Sequence, residues 1–320
     1  EYTFDEMIDY KEGDRGFKVK AEDTYGYITI STLPVTYKTI PGPSLTLTES
    51  TIFAGTDAKK GVPVQIESVR GVHEVVIYRI ENGSEVEALR ETKNGEHTLN
   101  YAPEIDFTEA TSKLKVVVSD GREGKEAIGY MKAYVNMDVA TLNVGSQPLA
   151  NNAHVKYPDA FGMVSLNDLK TYSVDYAIAN EVNAKNVDFK FYCFGASGSP
   201  RLYSMDNTGK DGEFSGSTGK LSAIKVKNLT RFAILSNFDY ENATVASISS
   251  EILSSSIAQS LLDPIAVGNV IAFRTGGSSA AGGGRIGVMK VINITEPKEL
   301  VSNNATARVM TVEIKFPKKK

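Results

Sequence analysis

The sequence predicts an all-β protein: tandem immunoglobulin-like sandwich modules plus a larger C-terminal β-sandwich with one or two short helices. Three observations predict this class: a stretch of sequence recurs once, most apolar runs alternate with polar residues, and helical spacing is confined to two short stretches. A repeat period of about 100 residues is the size of one immunoglobulin-like sandwich. We therefore expect a partial module over residues 1–40, a full module over 41–137 and a C-terminal domain over 138–320.

Composition and charge exclude several classes of protein. Apolar residues make up 41% of the 320-residue chain and charged residues 23%, as in ordinary globular proteins. A net charge of -4 is too small to recruit nucleic acid or an anionic membrane surface non-specifically, so we expect no nucleic-acid partner. A single cysteine, Cys193, permits neither an intrachain disulfide nor a thiolate metal cluster. No apolar run reaches the roughly 18 residues that span a bilayer.

The first module is predicted from the repeat. Residues 17–23 align with 114–120 at a constant offset of 97, and in both copies the run ends at an Asp and continues into a second alternating strand. Asp and Gly supply turn conformations between such strands, so each copy is predicted to form a β-hairpin. Only about 40 residues precede the linker Pro41-Gly42-Pro43, in which proline interrupts a sheet ladder. The first copy is therefore predicted to be an incomplete module.

The second module is predicted to contain several alternating strands. They include residues 62–66, 72–80 and 114–119. The run over 72–80 is followed by Asn82-Gly83, which favours the positive backbone angles of a two-residue hairpin turn. The same offset of 97 aligns residues 45–47 with 142–144, so a third unit is predicted to begin near residue 138.

The third unit is longer and more varied. Its predicted strands cover residues 187–194, 270–274, 286–294 and 309–316. In the first of these, Val187, Phe189, Phe191 and Cys193 alternate on one face, which we expect to be buried. Ser165 could cap a short helix over 165–170, and apolar spacing predicts a second helix within 245–262.

Several phrases of the third unit resemble a known family. They are VDF at 187–189 before an aromatic strand, 195–200 leading into LYS at 202–204, and VGNVIAFRT at 267–275 followed by GRIGVMKV at 284–291. These are similar to the C-terminal domain of surface lipoproteins from gut Bacteroidetes, in which Ig-like or PKD-like modules often precede such a domain. The resemblance implies an exported, lipid-anchored outer-membrane protein facing outward that serves polysaccharide capture or adhesion. Its lipid anchor, the expected membrane attachment, would lie on an N-terminal segment absent from this sequence.

The residues that could carry chemistry point to no catalytic site, metal site or cofactor. His73, His97 and His154 lack metal-ligand or triad spacing, and Cys193 is expected in the core. The glycine-rich stretch 276–284 lacks the Lys-Ser/Thr ending of a phosphate loop and is predicted to be a flexible hairpin loop. Residues 206–213 are rich in oxygen ligands, but Lys210 breaks the alternation of a calcium loop, so a polar turn is predicted.

Aromatic side chains near loops are the candidates for ligand binding, because sugar faces stack on aromatic rings and the chain has no tryptophan. The candidate residues are Tyr157, Phe161, Tyr172, Arg201, Tyr203, Asp206 and Tyr240. We expect a non-enzymatic cell-surface protein that binds a polysaccharide or another extracellular ligand, with the Ig-like modules as spacers. The alternative is a structural or protein-adhesion role. A glycoside hydrolase is less favoured and would need Asp188, Asp206 and Asp239 to converge.

Overall fold

The structure is a computed structural model that describes residues 16–34, 40–296, 299–300 and 304–319. Strands predominate throughout these residues, which confirms the predicted all-β class. The first described element is an antiparallel hairpin of β1 (Gly16–Glu22) and β2 (Ile28–Pro34). The Asp23 carboxylate accepts hydrogen bonds from the backbone N–H groups of Tyr25 and Tyr27 and closes the turn. The rest of the predicted unit 1–40 lies outside the described residues, except Ile40.

The second unit has a six-stranded sheet and a separate two-stranded one. Its strands are β3 (Ser44–Leu47), β4 (Thr51–Ala54), β5 (Lys60–Gly61), β6 (Val64–Glu81), β7 (Ser84–Tyr101), β8 (Glu104–Ile105), β9 (Thr111–Ser119) and β10 (Ala127–Val135). The strand order is β3-β6-β9-β10-β4, β7 pairs with β6, and β5 pairs with β8. Their inward side chains, among them Ile66, Ile77 and Leu114, form one core.

The hairpin predicted at Asn82-Gly83 is confirmed. Asn82 and Gly83 have φ angles of 50° and 82°, and they join Glu81 to its cross-strand partner Ser84. Both positive angles match a type I′ turn, whose twist suits antiparallel strands. The two strands predicted at 62–66 and 72–80 form the single bent strand β6 instead, because β7 pairs with it on both sides of the bend at Gly71.

The third unit is a sandwich of two five-stranded sheets. Its elements are β11 (Met137–Gly145), β12 (Met163–Ser165), β13 (Lys170–Tyr172), α1 (Val174–Ala179), α2 (Glu181–Lys185), β14 (Phe189–Phe194), β15 (Ser199–Ser204), β16 (Arg231–Leu235), α3 (Val245–Glu251), β17 (Leu261–Leu262), β18 (Val270–Arg274), β19 (Ile286–Ile294) and β20 (Val309–Pro317). One sheet has the order β11-β20-β19-β18-β16 and the other β13-β12-β14-β15-β17. The main core, which includes Phe189, Phe273 and Ile314, draws on both sheets.

The helix predicted over 165–170 is wrong. Ser165 ends β12, and its hydroxyl accepts a hydrogen bond from the backbone N–H of Asp168, which closes a turn into β13. Leu169 has a φ of 49°, a conformation incompatible with a continuing α-helix. The second predicted helix is shorter than its spacing suggested. It ends at Glu251, and the following residues up to 262 include a 3₁₀ turn, Ser254–Ser256, and β17.

Strand β14 is buried on both faces, whereas only one buried face was predicted. Phe189, Phe191 and Cys193 point into the main core as expected. On the opposite face, Tyr192 belongs to a second cluster that includes residues of α1 and α2, and Lys190 is fully buried. Of its six residues only Phe194 is exposed. No helix among the described residues is long and apolar enough to cross a membrane.

Units two and three are in direct contact. The backbone N–H of Ala246 in α3 donates to the carbonyl oxygen of Glu109 at 3.1 Å. Tyr134 of β10 packs in one apolar cluster with Met137, Tyr240 and Ile248. The two units therefore share buried surface at this junction.

Candidate ligand-binding site

Two of the predicted ligand-binding residues are buried. Tyr203 and Tyr240 are only 4% and 3% exposed to solvent. The Tyr240 hydroxyl donates to the carbonyl oxygen of Glu313 at 2.7 Å, and burial raises the pKa of Tyr240 far above its usual range. Tyr203 packs edge-on against Tyr192. Neither ring therefore has an open face on which a sugar could stack in this structure.

Arg201 and Asp206 are committed to ion pairs. The guanidinium of Arg201 lies 2.8 Å from the Asp263 carboxylate and 4.1 Å from the centroid of the Phe194 ring. Asp206 accepts two hydrogen bonds of 2.8 Å from Arg231, and these bonds hold the pKa of its carboxyl below the usual value against the opposing effect of burial. The first pair connects β15 to the segment after β17. The second pair holds Asp206, the first residue of the polar turn predicted over 206–213, against β16.

Tyr157 and Tyr172 are both partly buried. Tyr172 stacks on Tyr176 with 4.0 Å between ring centroids, and its hydroxyl donates to Asp168 at 2.6 Å. Desolvation, followed by the hydrogen bond to Asp168, raises the pKa of Tyr172 well above its usual value. Tyr157 packs against a small cluster that includes Leu149. Each ring has one side occupied by protein.

Phe161 is the predicted residue that lines an open cleft. Strand β11 is the edge of one sheet and β13 the edge of the other, and the cleft opens where these two edges meet. Its volume is about 470 Å³. We call it the edge cleft and define it by Thr141, Leu142, Asn143, Asp159, Phe161, Lys170 and Thr171.

Local hydrogen bonds fix the backbone of Phe161. The backbone N–H of Phe161 donates to the Thr171 hydroxyl at 3.3 Å, and that hydroxyl donates to the carbonyl oxygen of Asp159. The backbone N–H of Gly145 in β11 donates to the carbonyl oxygen of Phe161 at 3.0 Å. The segment that carries Asp159 and Phe161 is thereby tied to both edge strands.

The polar groups of the edge cleft are only partly used by the protein. Asp159 and Lys170 are exposed and form no ion pair within the described residues. The side-chain oxygen of Asn143 accepts from Thr311 at 2.8 Å. One aromatic ring, a carboxylate, an ammonium group, an amide and two hydroxyls thus face the same space, which suits a neutral ligand rich in hydroxyl groups.

The three carboxylates of the hydrolase hypothesis do not line one cleft. Asp188 is fully buried, and Asp206 is paired with Arg231. Asp239 is exposed in the loop that faces the second unit, where it accepts from the Asn242 amide at 2.7 Å. A glycosidase needs two carboxylates on opposite sides of one bond, which these residues do not provide.

The remaining candidates occupy structural positions. Burial raises the pKa of the Cys193 thiol to about 12, consistent with a core residue. No group of His, Cys, Asp and Glu in the described part of the chain could hold a metal ion.

The glycine-rich loop 276–284 connects β18 and β19 as predicted, but hydrogen bonds hold it against neighbouring parts of the third unit. Ser278 donates to Asn228 at 2.7 Å, and the backbone N–H of Ala280 donates to the carbonyl oxygen of Lys185 at 2.9 Å.

The sequence interpretation missed Asn143, Asp159, Lys170 and Thr171. Residues 142–144 were placed on a strand by the repeat, but nothing local marks that strand as an edge. The polar residues around Phe161 in DAFG and DLKTY were the available signal, since polar side chains next to an aromatic residue are typical of binding loops.

Comparison with known proteins does not assign the chain to a family. No family model matches it, and no curated protein matches its sequence. Among solved structures, Escherichia coli alpha-2-macroglobulin activated by porcine elastase matches with a TM-score of 0.23 and 8% identity. The match covers 95% of this chain and 24% of that one, so this chain spans about a quarter of its length. A TM-score this low supports no argument about fold or function.

Proposed function

We propose that this protein is a non-enzymatic cell-surface binding protein that captures a glycan through the edge cleft. The observation that carries the proposal is that Asp159 and Lys170, which are exposed and form no ion pair among the described residues, line the same cleft as Phe161. Sugars present C–H faces to aromatic rings and hydroxyl groups to carboxylates, amides and ammonium groups. The resemblance to surface lipoproteins adds an exported, lipid-anchored location to the proposal, with the preceding Ig-like modules as spacers.

The geometry favours binding along the edge cleft over catalysis. The cleft contains one carboxylate, Asp159, rather than the pair that glycoside hydrolysis requires. Strands β11 and β13 of the cleft are held in ladders, and hydrogen bonds tie the loop that carries Asp159 and Phe161 to both strands, so the cleft is preformed. A preformed cleft lowers the ordering cost of binding.

A glycan screen with the full chain tests the proposal. We expect at least one soluble polysaccharide or array glycan to bind, and Phe161→Ala to weaken its affinity by about tenfold or more, equivalent to about 1.4 kcal/mol. Phe194→Ala is the matched control, because Phe194 is an exposed aromatic residue outside the cleft. Absence of any glycan ligand, or equal losses for both variants, would contradict the proposal.

A second candidate function is protein adhesion through the second unit. Phe53 on β4 and Ile128 and Tyr130 on β10 are each more than half exposed, and their strands belong to one sheet. Exposed apolar groups on a sheet face are typical of docking surfaces. If adhesion is the function, Tyr130→Ser with Ile128→Thr will reduce retention of surface proteins in a pull-down, and Phe161→Ala will not.

A further inference from the structure

The guanidinium of Arg285 is a partly buried charge without a carboxylate partner. Its Nη1 atom donates to the carbonyl oxygen of Ala281 at 2.6 Å, and its Nη2 atom donates to that of Pro317. The guanidinium carbon lies 4.0 Å from the centroid of the Phe316 ring. No ion pair involves Arg285 among the described residues, although Asp138 contributes a longer-range attraction. Burying an unpaired charge is costly, so a site that retains one gains by binding a counter-ion.

Arg285 lines a cleft at the contact between the second and third units, which we call the junction cleft. Its volume is about 660 Å³. Its lining is Glu109, Val245, Ile248, Ser249, Gly282, Gly283, Gly284, Arg285, Ile286, Pro317, Lys318 and Lys319. None of these residues lines the edge cleft, so the two sites are separate.

The junction cleft combines positive charge with an aliphatic wall. The charge comes from Arg285, Lys318 and Lys319. The ammonium group of Lys318 also forms an ion pair with the Asp138 carboxylate, 3.8 Å away. The wall is formed by Ile286 at the start of β19 and Pro317 at the end of β20, which are both half-buried, since Val245 and Ile248 of α3 are only 6% and 1% exposed. Glu109, the acidic residue of the lining, accepts a hydrogen bond of 3.0 Å from the Asn136 amide.

We propose that the junction cleft binds an organic carboxylate with an aliphatic portion. The carboxylate would pair with Arg285 and the lysines, and the aliphatic portion would lie on the wall of Ile286 and Pro317. A planar guanidinium matches a carboxylate in geometry as well as charge. An inorganic anion would use the charge but leave the aliphatic wall uncovered. The carboxylate could belong to a free acid or to the C-terminus of a peptide with an aliphatic last residue.

Calorimetric titration of the full chain with octanoate, octanamide and inorganic phosphate tests the charge and the wall separately. We expect octanoate to bind at least tenfold more tightly than either of the others. A peptide ending in leucine, compared with its amidated form, distinguishes the sources: tighter binding of the free-acid peptide than of octanoate assigns the site to peptide termini, and the reverse order assigns it to free acids. Failure of both carboxylates to bind, or equal affinity for octanoate and octanamide, overturns the proposal.

A variant pair locates the site without disturbing the packing of Arg285. Ser249 is exposed on α3 and lines the junction cleft, so Ser249→Glu places a competing carboxylate in it. We expect this change to weaken octanoate binding at least tenfold. Ser250→Glu is the matched control, since Ser250 is exposed on the same helix outside the lining, and it should leave the affinity unchanged. Equal effects of the two substitutions would overturn the assignment. Loss of octanoate binding would leave the glycan proposal for the edge cleft unaffected.

Discussion

At the scale of single residues, the carboxylate of Asp188 is the most sensitive group in the third unit. It is fully buried and accepts hydrogen bonds from the backbone N–H of Leu166 at 2.8 Å and from the Asn228 amide at 3.4 Å. Burial raises its pKa to about 6, although hydrogen bonds from Ser279 and Leu166 act in the opposite direction. Folding therefore stabilises the neutral form of this acid relative to the unfolded chain.

This shift predicts a specific dependence of stability on pH. Because the folded pKa lies above the ordinary value of 3.8, Asp188 contributes stability that is fully present below pH 4 and is lost as the pH rises through 6. The full contribution is on the order of 3 kcal/mol. Asp188→Asn should remove this pH-dependent contribution. The unfolding free energy of the wild type should therefore fall relative to that of the variant as the pH rises from 4 to 6.5. Denaturant unfolding across that range measures the difference.

Asp206 provides a control of opposite sign. Arg231 and Ser204 help to hold its pKa below the ordinary value, so its contribution is present at neutral pH and lost on acidification. Asp206→Asn should therefore destabilise the protein most at pH 7. If both variants show the same pH trend, the account of Asp188 is contradicted.

Sequence alone predicted the inward face of β14 but not its second buried face. Alternation placed Phe189, Phe191 and Cys193 correctly. The burial of Lys190 depends on Asp211, whose carboxylate lies 2.6 Å from its ammonium group and which is 21 positions further along the chain. No local pattern reports a partner at that separation.

At the scale of elements, the bend in β6 depends on one glycine. Gly71 has a φ of 87°, and a Cβ atom there would lie 2.2 Å from the carbonyl oxygen of Gly95. Gly95 itself has a φ of 84°, but a Cβ atom there would meet nothing within 4 Å. The two glycines thus share a backbone conformation that would strain an L side chain, and they differ in the space around the missing Cβ atom.

This difference predicts unequal costs of substitution. Gly95→Ala should cost about 1–2 kcal/mol of unfolding free energy from the left-handed conformation alone. Gly71→Ala should cost at least twice as much, because the strand pair would also have to separate. Denaturant midpoints of the two variants measure this, and equal losses would show that the β6 bend does not bring the two backbones together.

The alternating pattern predicted where strands run but not how they join. Residues 62–66 and 72–80 were predicted as two strands, and the interruption between them is a bend within one ladder. The helix expected over 165–170 failed for a related reason. A capping serine and a turn-closing serine have the same local sequence, and only pairing of β12 with β13 decides between them.

At the scale of the whole molecule, a buried lysine marks the junction of the second and third units. The Lys315 ammonium group donates to the carbonyl oxygen of Tyr240 at 2.6 Å, and it lies 4.3 Å from the Tyr240 ring and 5.4 Å from the Tyr134 ring. Burial lowers the pKa of Lys315 to about 8. Tyr134 belongs to the second unit, so this cluster couples the two units energetically.

Removing Tyr134 should therefore uncouple their unfolding. We expect calorimetry of the wild type to give one cooperative transition for these units, and Tyr134→Ala to separate it into two. Tyr130→Ala is the control, because Tyr130 lies on the same strand but is exposed. A single transition in all three proteins, with equal midpoints, would contradict the coupling.

The 97-residue repeat predicted two matching strands, in the second and the third unit, but not the contacts between the units. It aligned residues 45–47 with 142–144, and the corresponding strands β3 and β11 are present. Glu241 of the third unit forms ion pairs with Lys132 of the second unit and with Lys290 of the third. The repeat could not reveal these pairs, because Glu241 and Lys290 lie in the part of the third unit that the repeat does not cover. The edge cleft was hidden for a different reason, because nothing in the local sequence marks β11 and β13 as the edges of two different sheets.

The most direct test of glycan capture is residue-level mapping of the bound ligand on the full chain. Backbone amide shifts are followed by NMR during titration with an oligosaccharide selected from the glycan screen. The account predicts that the largest changes occur at residues 141–143, 159–161 and 170–171, and that Phe161→Ala requires about tenfold more ligand to reach the same changes. Largest changes on β4 and β10, or at the junction cleft, would contradict the assignment of glycan binding to the edge cleft.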